Sequence, residues 1–245
     1  MVDPQQSDRI ANWSAWLQGP LSHEANSIRC RRDVFNSWAD IHDTTNGLEG
    51  KAAMFRWWIM DNYIHTLAMA IRRLSDKNRK TRSLMSLLLD IEKHASLLTR
   101  EWWERKGPLR DSRFFQYEHQ EYLKEFDRIS SDGHISREYV QQYINRLIGD
   151  SRAVKKFADK RIAHMDRDPD TPLSWDELHG PVDSIFEIYQ HWHTEIVGVF
   201  PAEPVGQPWE LIFSRSWITE SQAYEIAERR KREAGYDRLN VFDSR

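Results

Sequence analysis

The residues best suited to chemistry lie in segment 155–169, where cations, a histidine and carboxylates follow one another closely. If this segment is helical, Lys160 and His164 are one turn apart, which places an ammonium and an imidazole on the same face. Asp159 precedes Lys160, and Asp166 follows His164. The imidazole can move a proton while the neighbouring cation stabilises developing negative charge, as cleavage of a phosphate ester requires.

A purely structural role for His164 is the alternative. A histidine in the last turn of a helix is stabilised by the helix macrodipole without doing any chemistry. The basic residues upstream of it can simply form a solvated face. Composition alone favours this alternative, because most histidines at helix ends are not catalytic.

Helical periodicity predicts the elements that must position this segment. Ser22, Ser136 and Ser174 are suited to N-caps, whereas residues 43–47 and 130–133 have the composition of turns. The predicted helices cover residues 22–41, 48–74, 84–91, 136–148, 154–165, 174–199 and 220–234. We expect the core of an all-α helical bundle to be formed by residues 48–74, 139–148, 154–165 and 174–199.

The long helix 48–74 is predicted to be a buried central element. Its apolar residues include Phe55, Trp58, Ile59, Ile64, Leu67 and Ile71. The chain has 11 tryptophans, which could stack on nucleic-acid bases. Several lie within apolar helical stripes, so core packing is the favoured interpretation.

Composition bounds the fold class and the cellular compartment. The 245 residues are 40% hydrophobic and 30% charged, with ten Gly, which favours helices over a turn-rich β architecture. A net charge of −3 excludes a global basic field, so any polyanion site must be a local cationic cleft. The single Cys30, a polar N-terminus and the lack of an uninterrupted apolar stretch predict a cytoplasmic protein that does not enter the membrane.

The sequence predicts no metal site. Asp166, Asp168, Asp170 and Glu177 fall at ligand positions of an EF-hand calcium loop. Thr171 occupies the position where that loop needs Gly for its sharp turn. The chain also lacks a phosphate-cradling Gly loop and a Ser or Cys nucleophile motif. We therefore expect neither a metal nor an organic cofactor.

The run Ala158-Asp-Lys-Arg-Ile-Ala-His164-Met-Asp166 resembles the signature helix of HEPN domains. These domains form an all-helical superfamily of RNases and nucleotide-binding modules, and the run is most similar to the abortive-infection AbiU-like branch. Three other segments resemble that branch in the same order along the chain. They are Met69-Ala-Ile-Arg-Arg-Leu-Ser-Asp76, Ser83-Leu-Met-Ser-Leu-Leu-Leu89 and Pro208-Trp-Glu-Leu-Ile-Phe-Ser-Arg-Ser-Trp217.

The resemblance covers most of residues 51–218 and implies a HEPN-like four-helix core with extra N- and C-terminal helices. We accordingly expect three parts in the chain. They are an N-terminal helical extension (1–47), a HEPN-like helical domain (48–218) and a charged C-terminal helix or tail (219–245).

The signature departs from the pattern of catalytic HEPN RNases, which carry an Arg, then four to six residues, then the His. The corresponding positions hold Phe157, Ala158 and Asp159. Lys160 and Arg161 are too close to His164, and Arg152 is too far away. A Lys cannot grip a phosphate with the planar fork of a guanidinium. Two functions therefore stay open: an RNase in which another cation replaces the Arg, and a non-catalytic module that binds nucleotide, RNA or a protein partner.

The first function would make the chain a defence-associated or toxin-type endoribonuclease that needs no metal, with an antitoxin protein as a candidate partner. The candidate catalytic residues are His164 as the acid/base, Lys160, Arg161 and Asp159. The candidate substrate-binding residues are Arg72, Arg73 and Asp166. A structural alternative for Arg72 or Arg73 is an ion pair with Asp76 or with the cap of a neighbouring helix.

Cleavage by a ribose 2′-hydroxyl needs one group to remove a proton and another to protonate the leaving oxygen. HEPN proteins typically pair their signature helices, so the resemblance implies a homodimer that brings two copies of His164 together. One neutral and one protonated imidazole would then be the working state. We expect a bell-shaped pH profile around mildly acidic to neutral pH, insensitivity to EDTA, and 2′,3′-cyclic phosphate ends on the products.

Overall fold

A computed structural model describes residues 4–44, 51–78, 80–106, 115–163, 173–201, 209–213 and 220–233. The helices are α1 (Pro4–Gln18), α2 (Pro20–Thr44), α3 (Lys51–Leu74), α4 (Leu84–Lys93), α5 (Arg100–Lys106), α6 (Phe115–Ile129), α7 (Arg137–Phe157), α8 (Trp175–Val197), α9 (Trp209–Phe213) and α10 (Glu220–Glu233). A 3-10 turn (Ala95–Leu97) follows α4, and a π-helical segment (Ala158–Ala163) continues α7. The only strands among the described residues are β1 (Ser130–Ser131) and β2 (His134–Ile135), an antiparallel hairpin. The predicted all-α fold is confirmed.

Helix α8 lies at the centre of the bundle and contacts α1, α2, α3 and α7. Its predicted N-cap is confirmed, because Ser174 and Glu177 form a capping box. Gly198 ends the helix with a φ of 89°, a left-handed conformation that favours glycine. Apolar residues spaced around most of the helix are buried, as a central position requires: Leu178, Val182, Ile185, Ile188, Tyr189, Trp192 and Ile196.

Helix α7 is continuous from Arg137 to Phe157, so the prediction of two separate helices, 136–148 and 154–165, was wrong. Gly149 lies in its interior, where a glycine costs about 1 kcal/mol relative to alanine. Burial of Leu147 and Val154 on either side outweighs that cost. The predicted N-cap at Ser136 is confirmed, since its side chain accepts a hydrogen bond from the backbone N–H of Tyr139.

The π-helical segment (Ala158–Ala163) replaces the α-helical spacing assumed for the signature run. Its backbone hydrogen bonds join residues five apart rather than four, and such segments are rare and frequently lie at functional sites. Ala158 is completely buried at its start. The predicted one-turn relation between Lys160 and His164 therefore does not follow from α-helical geometry. His164 and Asp166 lie outside the described residues.

The N-terminal region is helical from Pro4, so the predicted polar lead and the N-cap at Ser22 were wrong. Trp13 and Leu17 of α1 are completely buried, and Nε1 of Trp13 donates a hydrogen bond of 2.7 Å to Asp90 of α4. Pro20 opens α2, a position that suits proline because its missing N–H would have no helical partner. Segment 115–129, which is not among the predicted helices, is helix α6.

The amino-terminal half of α3 is exposed, so the predicted burial of Phe55 and Trp58 was wrong. Their exposed fractions are 53% and 55%, whereas Leu67 and Ile71 are fully buried as predicted. The apolar pattern runs the length of the helix, but the bundle covers only its carboxyl-terminal half. The tryptophans divide in the same way: Trp13, Trp103 and Trp192 are buried, and Trp57, Trp58 and Trp175 are exposed.

Candidate functional site

Arg72 of α3 and Asp159 of the π-helical segment form an ion pair. Nε of Arg72 lies 2.5 Å from Oδ1 of Asp159, and the two side chains are 41% and 47% exposed. Asp159 occupies one of the three positions where catalytic HEPN RNases carry an Arg. A guanidinium from a neighbouring helix is therefore held at that position.

Arg73 lies on a different side of α3 and belongs to another contact. Its NH2 group is 3.0 Å from Oε2 of Glu24 in α2. Consecutive residues of an α-helix point in different directions, so Arg72 and Arg73 cannot face the same neighbour. Asp76, considered as a partner for either, instead accepts a hydrogen bond from the backbone N–H of Asn78. Of the two candidate arginines, the fold brings only Arg72 to the signature segment.

Lys155 fixes the end of α3 against α7. Its Nζ donates a hydrogen bond of 3.2 Å to the carbonyl oxygen of Ser75. Ser75 is buried, and its hydroxyl donates to the carbonyl oxygen of Ile71. This contact holds the last turn of α3 beside α7 and so sets the position from which Arg72 reaches Asp159.

The other predicted site residues differ in what the structure describes. The Lys160 side chain is partly buried and Arg161 is exposed. His164 and Asp166 lie outside the described residues, so their roles stay predictions. The described part of the site is thus a cluster of cations and carboxylates, and His164 follows this cluster in the sequence.

The structure adds a second imidazole, which the sequence did not single out as a candidate. His65 lies on α3, and its ring centroid is 6.2 Å from that of Phe157, the last residue before the π-helical segment. Nδ1 of His65 is 2.8 Å from the carbonyl oxygen of Asp61 and 3.2 Å from its Oδ2. Both partners are acceptors, so Nδ1 carries the proton and Nε2 is the basic nitrogen. The i, i+4 spacing of Asp61 and His65 was the signal that could have found this pair.

A polar contact on another side of α3 holds the helix in place. The Tyr63 hydroxyl lies 2.8 Å from Nε2 of His179 in α8, and the Tyr63 ring stacks on Phe35 with centroids 3.9 Å apart. Burial, together with the positive charge of Arg32, lowers the pKa of His179. Burial raises the pKa of Tyr63. Both groups are therefore neutral, and the hydrogen bond between them connects α3 to α8.

The described part of the chain gives no sign of a metal centre. No three His, Cys, Asp or Glu side chains within it come together as ligands. In the same residues, no helix has the length and apolar character needed to cross a membrane.

The helical bundle and the signature segment define a HEPN-type domain. A family model described as HEPN_AbiU2, AbiU2, matches residues 10–208. The chain therefore belongs to the AbiU2 family of HEPN proteins, a family of defence or toxin type. Comparison with curated proteins and with solved structures gives no match.

Proposed function

We propose that this protein is a metal-independent endoribonuclease in which Arg72 replaces the missing arginine of the signature. The ion pair with Asp159 carries the proposal, because it holds a guanidinium at the position that the signature leaves without one. Asp159 engages Nε and leaves the terminal N–H groups of Arg72 to other acceptors. Those groups match two phosphate oxygens and would stabilise the charge of the phosphorane.

The proton transfers need two groups. As the 2′-oxygen bonds to phosphorus, its proton passes to a base, and as the bond from phosphorus to the 5′-oxygen breaks, an acid protonates that oxygen. The products are a 2′,3′-cyclic phosphate and a 5′-hydroxyl. His164 is proposed as one group, flanked by Lys160, Arg161 and Asp166. His65, oriented by Asp61, is proposed as the other.

A homodimer is the second source of an imidazole. Two signature segments related by a two-fold axis would supply one His164 each. We propose this assembly, and we propose a cytoplasmic location for the protein. Light scattering at micromolar concentration tests the assembly itself. Substitution of His65 separates the two sources, because only the arrangement within one protomer depends on that residue.

The test is cleavage of a 5′-labelled RNA by the purified protein in the presence of EDTA. We expect products with 2′,3′-cyclic phosphate ends and a loss of about 10²-fold or more in His164→Ala and in Arg72→Ala. Arg73→Ala is the matched control and should retain activity within a few-fold. Loss of cleavage on chelation, or an unchanged rate in His164→Ala, would contradict the proposal.

A non-catalytic RNA-, nucleotide- or protein-binding module is the second candidate. It is favoured by the carboxylate of Asp159, which partly neutralises Arg72, and by the apolar residues at the other two arginine positions, Phe157 and the buried Ala158. On this alternative the wild type binds its partner and leaves RNA intact. Expression would then be harmless with or without His164, whereas toxicity relieved by His164→Ala would favour the enzyme and fit an antitoxin partner.

A further inference from the structure

The last turn of α3 and the loop that follows it are the most basic part of the chain. Six of the eleven residues from Arg72 to Arg82 are Arg or Lys, and Asp76 is the one acid among them. Lys77, Lys80 and Arg82 are exposed, and none of the three forms an ion pair with a described residue. Their charges are therefore available to a ligand.

Several arginines elsewhere in the described chain are paired with carboxylates. Ion pairs of this kind involve Arg9 with Asp90, Arg32 with Asp183, Arg100 with Asp127, Arg128 with Glu125 and Arg146 with Glu187. The loop after α3 differs from these sites, because Lys77, Lys80 and Arg82 lie close together in sequence there without an ion pair to a described carboxylate.

Hydrogen bonds within the loop give it a defined shape. Oδ1 of Asn78 accepts from the backbone N–H of Lys80 at 3.0 Å, and the Thr81 hydroxyl donates to the carbonyl oxygen of Asn78 at 2.7 Å. The Ser83 hydroxyl donates to the carbonyl oxygen of Asp76 at 2.6 Å. Because the backbone is fixed at both ends of the loop, its cations are presented with little loss of backbone entropy on binding.

Helix α7 adds two exposed cations beside this loop. The bond from Lys155 to Ser75 places α7 against the start of the loop, and α4 also packs on α7. Arg152 and Lys156 are exposed, are four residues apart on one face of α7, and form no ion pair with a described residue. We call Lys77, Lys80, Arg82, Arg152 and Lys156 the basic surface.

We propose that the basic surface binds the phosphate backbone of single-stranded RNA and delivers it to Arg72. The choice of RNA rests on the proposed function, and the location rests on the unpaired cations. Lys and Arg spread over two elements suit a polyanion with repeated charges. Residues 75–82 contain no apolar side chain that could insert into a bilayer, so an anionic membrane fits this surface less well.

The test measures binding of a 2′-O-methyl RNA 20-mer, which cannot be cleaved, by fluorescence anisotropy over a range of salt concentrations. The variant is Lys77→Glu/Lys80→Glu/Arg82→Glu. Lys124→Glu/Arg128→Glu/Arg137→Glu is the control, because it changes the net charge equally at exposed positions around the opposite end of α7. Circular dichroism and thermal unfolding confirm that both variants fold.

We expect the loop variant to bind at least about tenfold more weakly, with a salt slope smaller by about 2, as the loss of three phosphate contacts predicts. The control should stay within about threefold of wild type, since only its long-range field has changed. Equal weakening in both variants, wild-type binding by the loop variant, or no binding by the wild type would overturn the proposal. Loop-dependent binding to vesicles of anionic phospholipid without binding to RNA would also overturn it.

Cleavage is measured separately on unmodified RNA, so the two proposals fail in different ways. If the wild type binds RNA through the loop but does not cleave it, the proposed endoribonuclease activity is contradicted and the proposed RNA binding by the basic surface is not. If the loop variant binds and cleaves RNA like the wild type, the proposed RNA binding by the basic surface is contradicted and the proposed endoribonuclease activity is not.

Discussion

The ion pair between Arg72 and Asp159 joins two helical segments that are 87 residues apart in sequence. Both side chains are more than one-third exposed, so solvent screening limits the contribution of the pair to stability to about 1 kcal/mol or less. Its larger effect is to orient the guanidinium of Arg72 beside the signature segment. Positioning and stability can therefore be separated by experiment.

Asp159→Ala should reduce RNA cleavage by about tenfold or more, because Arg72 loses the partner that orients it and a tenfold effect needs only about 1.4 kcal/mol in the transition state. Thermal unfolding should change little. Glu24→Ala removes the equivalent partner of Arg73 and should leave the cleavage rate within about twofold. Equal losses of activity in the two variants would show that the pairing of Arg72 has no special role.

His65→Gln should lower cleavage by about 10² to 10⁴, since one of two proton-transferring groups is lost. His94→Gln is the matched control, because Nδ1 of His94 contacts Asp90 in the same i, i+4 arrangement away from the site. Cleavage rates of the two variants and of the wild type, measured from pH 5 to 9, show whether His65 takes part in proton transfer. A wild-type rate in His65→Gln would indicate that the second proton-transferring group is His164 of a second protomer.

Trp13→Ala should lower the free energy of unfolding by about 3–5 kcal/mol, because a completely buried ring leaves a cavity and a hydrogen bond to Asp90 is lost. Trp57→Ala should stay within about 0.5 kcal/mol, since Trp57 is 64% exposed. Urea unfolding followed by circular dichroism measures both. A large loss in Trp57→Ala would indicate that this tryptophan is covered in solution.

His179→Gln should flatten the dependence of stability on pH below neutrality. The pKa of His179 is lowered by burial and by Arg32, so below about pH 6.5 the unfolded imidazole takes up a proton that the folded one does not. The free energy of unfolding of the wild type therefore falls as the pH drops from about 6.5 toward the folded pKa. Urea unfolding at pH 7.5, 6.5 and 5.5 should show a smaller fall in the variant. A difference that is the same at every pH would mean that His179 does not titrate in this way.

Local sequence patterns predicted the elements whose boundaries are set locally. Ser174 and Ser136 were found as caps because a hydroxyl placed just before an apolar helical stripe satisfies free backbone N–H groups. Gly149 misled the prediction, since tertiary burial overrode its weak helix propensity. Helix α1 was missed because Trp13 and Leu17 are a narrow stripe in a polar segment.

The candidate site was predictable as a set of residues and not as a set of contacts. Arg72 and Asp159 were both selected from sequence, but their pairing depends on how α3 packs against α7, which no local pattern encodes. Helix geometry separates Arg72 from Arg73, but which of the two meets Asp159 also depends on that packing. The spacing of Asp61 and His65 was a local signal, but it gives no sign that the imidazole will face Phe157 of another helix. The division of the chain at residues 47 and 218 stays a prediction.

The π-helical segment (Ala158–Ala163) makes the geometry of the signature depend on the number of its residues as well as on their identity. A π turn is equivalent to an α-helix that has accepted one additional residue. Deleting Ile162 would remove that additional residue and allow the α-helical hydrogen bonds of α7 to continue through the segment. A linear count of residues across this segment therefore does not convert to an angle at the α-helical value of about 100° per residue, so the spacing between the signature cations and His164 does not correspond to whole α-helical turns.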